Sequence, residues 1–193
     1  MVEAMLHAAR AASAIKAWFC SGLLRYLLVT IAILLSPIAV ADLANSETRS
    51  LSFYNLHTEE KLNIIYWQNG QYQADALTAI NRVLRDHRNG QQTSIDPQLL
   101  ELLFQLQQKV QSKQPFHVIS GYRSPASNEL LRKNSSGVAR KSYHMLGMAI
   151  DIRLPDIKLE VLRDAAIELG GGGVGYYPGS DFIHLDSGPV RQW

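Results

Sequence analysis

Two short apolar segments that each carry one polar side chain constrain the fold of this chain more than any other feature. Asp151 lies within the otherwise apolar run of residues 148–152, and His184 has an apolar neighbour on each side. Such segments are typical of buried strands, in which a polar group needs a partner. His144, seven residues before Asp151, completes a set of two histidines and one aspartate. A catalytic zinc site uses this kind of ligand set and keeps a fourth position open for water.

The spacing of these three residues is not decisive by itself. Two satisfied histidines and a structural aspartate would give the same pattern, because this spacing has no unique mechanistic meaning. Gly147, between His144 and Asp151, allows the backbone to turn tightly before the strand. A loop followed by a strand can therefore direct both side chains at one ion, and His184 from a neighbouring strand would complete the site.

Several further motifs occur in a fixed order along the chain. They are residues 120–125 (Ser-Gly-Tyr-Arg-Ser-Pro), 141–144 (Lys-Ser-Tyr-His), 172–178 (Gly-Gly-Val-Gly-Tyr-Tyr-Pro) and 184–189 (His-Leu-Asp-Ser-Gly-Pro), followed by Trp193. In this order they resemble the zinc D-Ala-D-Ala-type peptidases, and within them the murein endopeptidase K group of cell-wall hydrolases. The resemblance covers roughly residues 51–193, including residues 55–58 (Asn-Leu-His-Thr).

This resemblance implies a zinc endopeptidase that hydrolyses the peptide cross-links of peptidoglycan. The bond cleaved would be D-Ala–meso-diaminopimelate or diaminopimelate–diaminopimelate. One Zn²⁺ per chain would be held by His144, Asp151 and His184. Two alternatives remain open: a D,D- or L,D-carboxypeptidase acting on stem peptides, and a non-catalytic cell-wall-binding module of the same fold.

Three more residues are candidates for catalysis. Arg123 is the arginine of the motif at residues 120–125. The resemblance implies that it stabilises the substrate carbonyl or the developing oxyanion. The alternative is that it only holds its loop in place through a salt bridge or hydrogen bond. Asp181 matches a carboxylate that activates the zinc water in some relatives, or else caps a turn. Asp186 lies two residues after His184 on the same strand face. It either orients that ligand, which we favour, or acts as the base.

Other histidines and tyrosines have less specific interpretations. Within residues 42–193, three histidines fall outside the metal motif and are expected to be surface or structural residues: His57, His87 and His117. Three tyrosines either line a cleft or contribute to packing: Tyr143, Tyr176 and Tyr177.

The hydrophobic pattern predicts an α+β fold. Strands are expected at residues 51–56, 62–67, 116–120, 173–177 and 182–186, with a further strand before Asp151. Helices are expected at residues 74–88, after the Asp96-Pro97 cap, at 125–133 and at 158–169. Short strands dominate the site region, so we expect a small antiparallel sheet that carries the zinc site and packs with helices, as in Hedgehog/D-Ala-D-Ala peptidase-like folds.

Residues 1–41 are predicted to be a secretory signal peptide. Basic residues precede a short apolar run, residues 26–35, and residues 39–41 (Ala-Val-Ala) form a cleavage site. The apolar run is short for a transmembrane span, although an uncleaved N-terminal anchor is the alternative. The zinc peptidase domain would then be residues 42–193, located in the periplasm.

Composition limits the partners of this domain. The leader holds three of the 19 basic residues and one of the 17 acidic residues, so the domain is close to neutral and no nucleic-acid surface is expected. Cys20, the only cysteine, also lies in the leader. The domain therefore has no disulfide, thiolate ligand or thiol nucleophile. We expect a monomer that binds peptidoglycan and contacts the membrane only through an uncleaved leader.

Overall fold

The computed structural model describes residues 48–134 and 138–193, so the predicted signal peptide lies outside the described residues. The strands are β1 (Thr48–Asn55), β2 (Lys61–Gln68), β3 (Gln71–Tyr72), β4 (Phe116–Ser120), β5 (Ala149–Arg153), β6 (Gly173–Tyr177), β7 (Phe182–Asp186) and β8 (Arg191–Gln192). The helices are α1 (Ala74–Val83), α2 (Pro97–Val110), α3 (Pro125–Asn134) and α4 (Leu159–Leu169). Within this part of the chain, no helix combines the length and apolar character needed to cross a membrane.

The described strands form one mixed sheet in the order β3-β2-β1-β4-β5-β7-β6-β8. The pairs β1–β4 and β6–β8 are parallel, and the other neighbours are antiparallel. The α+β class is confirmed. The sheet is larger than the small antiparallel one expected, because the parallel pairing of β1 with β4 joins the N-terminal hairpin to the strands of the site region.

The two-residue period of β5 and β7 separates the core from the candidate site. Ile150 of β5 and Ile183 of β7 are fully buried in the hydrophobic core. Successive side chains of a strand point to opposite faces. Asp151 and His184 therefore lie on the other face of the sheet, directly opposite each other in the antiparallel register. The apolar faces that made these segments recognisable in the sequence also aim the polar groups away from the core.

Helix α2 supplies much of the core and follows its sequence signals closely. Asp96 is the N-cap, and its carboxylate accepts a hydrogen bond from the Gln98 N–H at 3.0 Å, with Pro97 in the first turn. Four of its leucines are fully buried: Leu99, Leu100, Leu103 and Leu106. This face of the helix therefore packs in the core.

Helix α1 ends at Val83, earlier than the predicted end at residue 88. The cause lies at Asp86, whose carboxylate accepts hydrogen bonds from the backbone N–H groups of Arg88 and Ser124 at 3.0 and 2.9 Å. An aspartate that bonds the backbone two residues ahead favours a turn over a continued helix. The side chain thereby ties the end of α1 to the loop that follows β4.

Gly147 closes the 3₁₀ turn Tyr143–Leu146 that presents His144 to the site. It has a φ of 71° in the left-handed region, and a Cβ at this position would collide with the carbonyl oxygen of Ser94. The Gly147 carbonyl also accepts a hydrogen bond from the Asp96 N–H at 3.0 Å. Only glycine satisfies both the backbone angle and the close approach.

We expect Gly147→Ala to destabilise the protein by more than the ~1 kcal/mol of left-handed strain alone, because the added methyl group must also displace the Ser94 carbonyl. Gly170→Ala is the matched control. Its φ is 62°, but a Cβ there would meet nothing within 4 Å. Chemical denaturation of both variants checks the expectation, and equal losses of stability would contradict it.

Candidate active site

Three side chains from separate parts of the chain converge on one point on the face of the sheet opposite the core. His144 comes from the 3₁₀ turn, Asp151 from β5 and His184 from β7, and all three are buried. The Nε2 atom of His144 lies 3.2 Å from Asp151 Oδ1 and 3.2 Å from His184 Nδ1. The His184 Nδ1 atom lies 2.9 Å from the same Asp151 oxygen. The predicted ligand set is thus assembled in space.

The orientation of His144 is fixed by a hydrogen bond on its outer side. Its Nδ1 atom lies 2.7 Å from the Gly121 carbonyl oxygen, in the loop after β4. A carbonyl only accepts, so Nδ1 carries a proton, and the neutral tautomer with this proton has its lone pair on Nε2. That lone pair faces Asp151 and His184.

His184 is fixed in the same way by Asp186. The Nε2 atom of His184 lies 2.9 Å from Asp186 Oδ2, which leaves Nδ1 directed at Asp151. Burial lowers the pKa of His184, but its hydrogen bonds to Asp151 and Asp186 raise it more, and the net shift is upward. Positive charge is therefore favoured at this point between the two carboxylates.

Asp186 has no exposed surface and is surrounded by donors. Besides His184, it accepts two hydrogen bonds from Arg191, at 2.6 and 3.1 Å, and one each from the backbone N–H groups of Gly173 and Gly188. Burial raises its pKa, but these hydrogen bonds outweigh burial and hold the pKa below its usual range. With its oxygens occupied, Asp186 is arranged to orient His184.

The set of donor atoms fits a metal ion. Two imidazole nitrogens and one carboxylate oxygen all lie within 4.8 Å of one another. Ligand atoms of a tetrahedral site with metal distances near 2.0 Å are about 3.3 Å apart, close to the separations of 2.9 to 3.2 Å found here. Burial raises the pKa of Asp151, but its interactions with the two histidines lower the pKa by more than burial raises it. The net shift is downward, so the carboxylate is ionised.

His144, Asp151 and His184 line a cavity of about 540 Å³. The other described lining residues are Arg123, Val138, Ala139, Lys141, Ser142, Tyr143, Tyr177, Phe182, Arg191 and Trp193. A cavity of this size suits a peptide segment, and it gives access from solvent to the three predicted ligand side chains.

Arg123 presents a largely buried guanidinium group to this cavity. Its contacts are long: 3.5 Å to Asn128 Oδ1, 3.5 Å to Ser120 Oγ and 3.6 Å to Asp151 Oδ2. Its Nε atom is buried and has no hydrogen-bond partner. Burial lowers the pKa of Arg123, and the nearby carboxylate of Asp151 opposes that shift. Arg123 therefore has donor capacity that the protein does not use.

Asp181 lies apart from the cavity lining. It adopts a left-handed backbone conformation just before β7, and its side chain is 64% exposed. Its carboxylate forms an ion pair with Arg153 at 2.5 Å. The role predicted for Asp181 in proton transfer stays a prediction, and the structure brings the other five predicted site residues together without it.

The remaining histidines and tyrosines lie partly at the cavity and partly elsewhere. His57 and His87 stack on each other with ring centroids 3.8 Å apart, outside the metal-ligand group. Tyr143 and Tyr177 line the cavity, whereas the Tyr176 hydroxyl bonds Glu160 at 2.8 Å.

Sequence reasoning missed two cations, Lys141 and Arg191. Lys141, the first residue of the motif at residues 141–144, lines the cavity, and Arg191 donates to Asp186, five residues earlier in the chain. Lys141 was visible within its motif, whereas Arg191 lies outside all the motifs and its pairing with Asp186 depends on how the chain folds back.

Comparison with known proteins finds one matching family model and several relatives that cover most of this chain. A family model described as Peptidoglycan L,D-endopeptidase MepK matches residues 43–193. The Peptidoglycan L,D-endopeptidase MepK of Escherichia coli (strain K12) is 43% identical over 162 residues, which cover 84% of this chain and 88% of that relative. The Probable peptidoglycan L,D-endopeptidase MepK of Haemophilus influenzae is 37% identical over 155 residues, covering 80% and 83% of the two chains.

We expect the purified protein to bind one zinc ion per chain, and His184→Ala and Asp151→Ala each to lose most of it. Each change removes a ligand from a three-ligand set, and affinity should also fall in acid as the histidines become protonated. His117→Ala, outside the cluster, is the control and should keep its metal. Elemental analysis after dialysis provides the measurement. Full zinc retention in both ligand variants would exclude this site.

Proposed function

This chain belongs to the family of the peptidoglycan L,D-endopeptidase MepK, and on that premise we propose that it is a zinc-dependent endopeptidase of the periplasm that cleaves peptidoglycan cross-links. The observation that carries the proposal is the set of three converging ligands beside Arg123, inside a cavity that is open to solvent. The family resemblance implied two possible bonds, D-Ala–diaminopimelate and diaminopimelate–diaminopimelate. The relatives' names specify an L,D-endopeptidase. This favours the diaminopimelate–diaminopimelate bond, because a D-Ala–diaminopimelate cross-link is a D,D bond.

The metal would be held by His144, Asp151 and His184. Two histidines and one carboxylate also bind Fe(II) in oxygenases, but a hydrolytic family favours zinc. When bound, zinc would supply a Lewis acid and an activated water for hydrolysis. The chain's own contribution is to hold the ligands in place: Gly121 fixes the ring of His144, and Asp186 fixes the ring of His184.

Arg123 would bind the oxygen of the scissile carbonyl. The negative charge on that oxygen grows as water adds to the carbon, so a fixed guanidinium stabilises the transition state more than the substrate. The weak contacts that Arg123 makes within the protein leave its donors available for this role. Burial strengthens the interaction because little water competes for the guanidinium.

The charge of the cavity suits a stem peptide. Three cationic residues line it, Arg123, Lys141 and Arg191, whereas Asp151 is the one carboxylate among the described lining residues. A divalent ion would add to this positive charge. Peptidoglycan stem peptides carry free carboxylates, so their attraction to the cavity is favourable before any specific contact forms.

Residues 1–41 would direct the chain to the periplasm as a cleaved signal peptide. The family match begins at residue 43, next to the proposed cleavage site after Ala41, which supports this boundary.

Asp181 remains a candidate for proton transfer. If it acts as the base, Asp181→Asn should keep its metal and lose turnover, and unchanged turnover would exclude it.

Digestion of purified sacculi is the test of this function. The protein should release un-cross-linked products that mass spectrometry identifies as cut between two diaminopimelate residues, and a chelator or the Asp151→Ala substitution should abolish the release. Loss of a single terminal D-alanine would instead indicate a carboxypeptidase. Binding to sacculi without any product would indicate a wall-binding module and overturn the proposal.

We expect Arg123→Lys to lower turnover at least about tenfold, equivalent to about 1.4 kcal/mol of activation free energy, while zinc content and fold stay unchanged. A lysine keeps the charge but cannot reproduce the planar fork of donors. Arg82→Lys, at an exposed position on α1, is the matched control. Steady-state assays on cross-linked muropeptides check this, and normal turnover of Arg123→Lys would mean that Arg123 only supports its loop.

A further inference from the structure

Tyr177, the last residue of β6, has a hydroxyl group with one unused proton. The indole Nε1 of Trp193 lies 2.8 Å from the Tyr177 hydroxyl oxygen. An indole N–H can only donate, so the tyrosine oxygen accepts in this bond and keeps its own proton for another partner. Among the described residues, none accepts that proton, and Tyr177 lines the cavity that holds the metal ligands.

The position of Tyr177 is fixed by contacts on two sides. Its ring stacks on Phe182 with centroids 4.7 Å apart and planes 19° from parallel. Trp193 is itself held against β6, since its backbone N–H donates to the Val174 carbonyl at 3.2 Å. The indole ring occupies the space above Gly175, where a Cβ would collide with it. The hydroxyl is therefore oriented before any ligand binds.

Tyr177 lines the same cavity as the predicted metal ligands and Arg123. The ring of Trp193, which bonds the hydroxyl, lies 5.3 Å from the ring of His184. One donor group of the cavity thus comes from the loop after β4 and a second comes from β6.

We propose that the Tyr177 hydroxyl donates a hydrogen bond to the oxyanion formed during peptide hydrolysis and acts there together with Arg123. The inference rests on the proposed function. Water forms the new C–O bond, and the carbonyl π electrons move onto the oxygen that Arg123 and Tyr177 bind. When this intermediate collapses, the C–N bond breaks and the amine leaves with a proton derived from the water. Tyr177 keeps its proton throughout.

The test compares Tyr177→Phe with Tyr176→Phe. Both changes remove one hydroxyl, but the Tyr176 hydroxyl bonds Glu160 outside the cavity. Loss of one oxyanion donor can cost about 10²–10³ in kcat. With Arg123 still present we expect Tyr177→Phe to lose about tenfold to a hundredfold in kcat, with KM and zinc content nearly unchanged. Tyr176→Phe should match the wild type. Cross-linked muropeptide dimers serve as the substrate.

Trp193→Phe supplies a second, independent measurement. This change keeps an aromatic ring but removes the N–H that orients the hydroxyl, so it should lower kcat in the wild type and have no further effect on kcat in Tyr177→Phe. Wild-type kcat in Tyr177→Phe, or a raised KM with kcat unchanged, would overturn the inference while leaving the proposed function intact. Failure of the wild-type protein to cleave the dimers would overturn both.

Discussion

Two hydrogen bonds on the outer sides of the histidine rings determine what the centre of this molecule can bind. The Gly121 carbonyl fixes the proton of His144 on Nδ1, and Asp186 engages Nε2 of His184. The inner nitrogens are thereby directed at Asp151 as potential ligands. Without these outer partners, either ring could rotate or change tautomer, and the three donor atoms would no longer converge.

Local patterns allowed much of the site to be predicted from the sequence. The apolar neighbours of Asp151 and His184 indicated strands, and the strand period then required both side chains to share the face opposite the core. Gly147 indicated the tight turn after His144, because only glycine adopts its backbone angle easily. The Asp96-Pro97 cap indicated the start of α2. Each of these signals depends on residues close together in the chain, which is why sequence reasoning could read them.

Contacts between distant segments could not be predicted in this way. The parallel pairing of β1 with β4 enlarges the sheet beyond the expected one, and no local pattern specifies which strands become neighbours. Asp181, a candidate base, forms an ion pair with Arg153, and it is not among the described residues that line the cavity. The end of α1 depends on Asp86, which bonds the loop before α3. In each case the sequence is compatible with several partners, and the partner is set by how the chain folds.

The charges of the site show why these distant contacts matter for chemistry. A guanidinium beside a divalent ion is costly in a buried site unless a carboxylate compensates it. Asp151 meets this need for Arg123, since one oxygen faces the two histidines and the other lies 3.6 Å from the guanidinium. Asp186 does the same for Arg191 while it holds His184. Each cation is thus linked through one carboxylate to a predicted metal ligand. The group that would bind the oxyanion and the groups that would bind the metal therefore keep a fixed relative position. Such fixed geometry stabilises a transition state without reorganisation during the reaction.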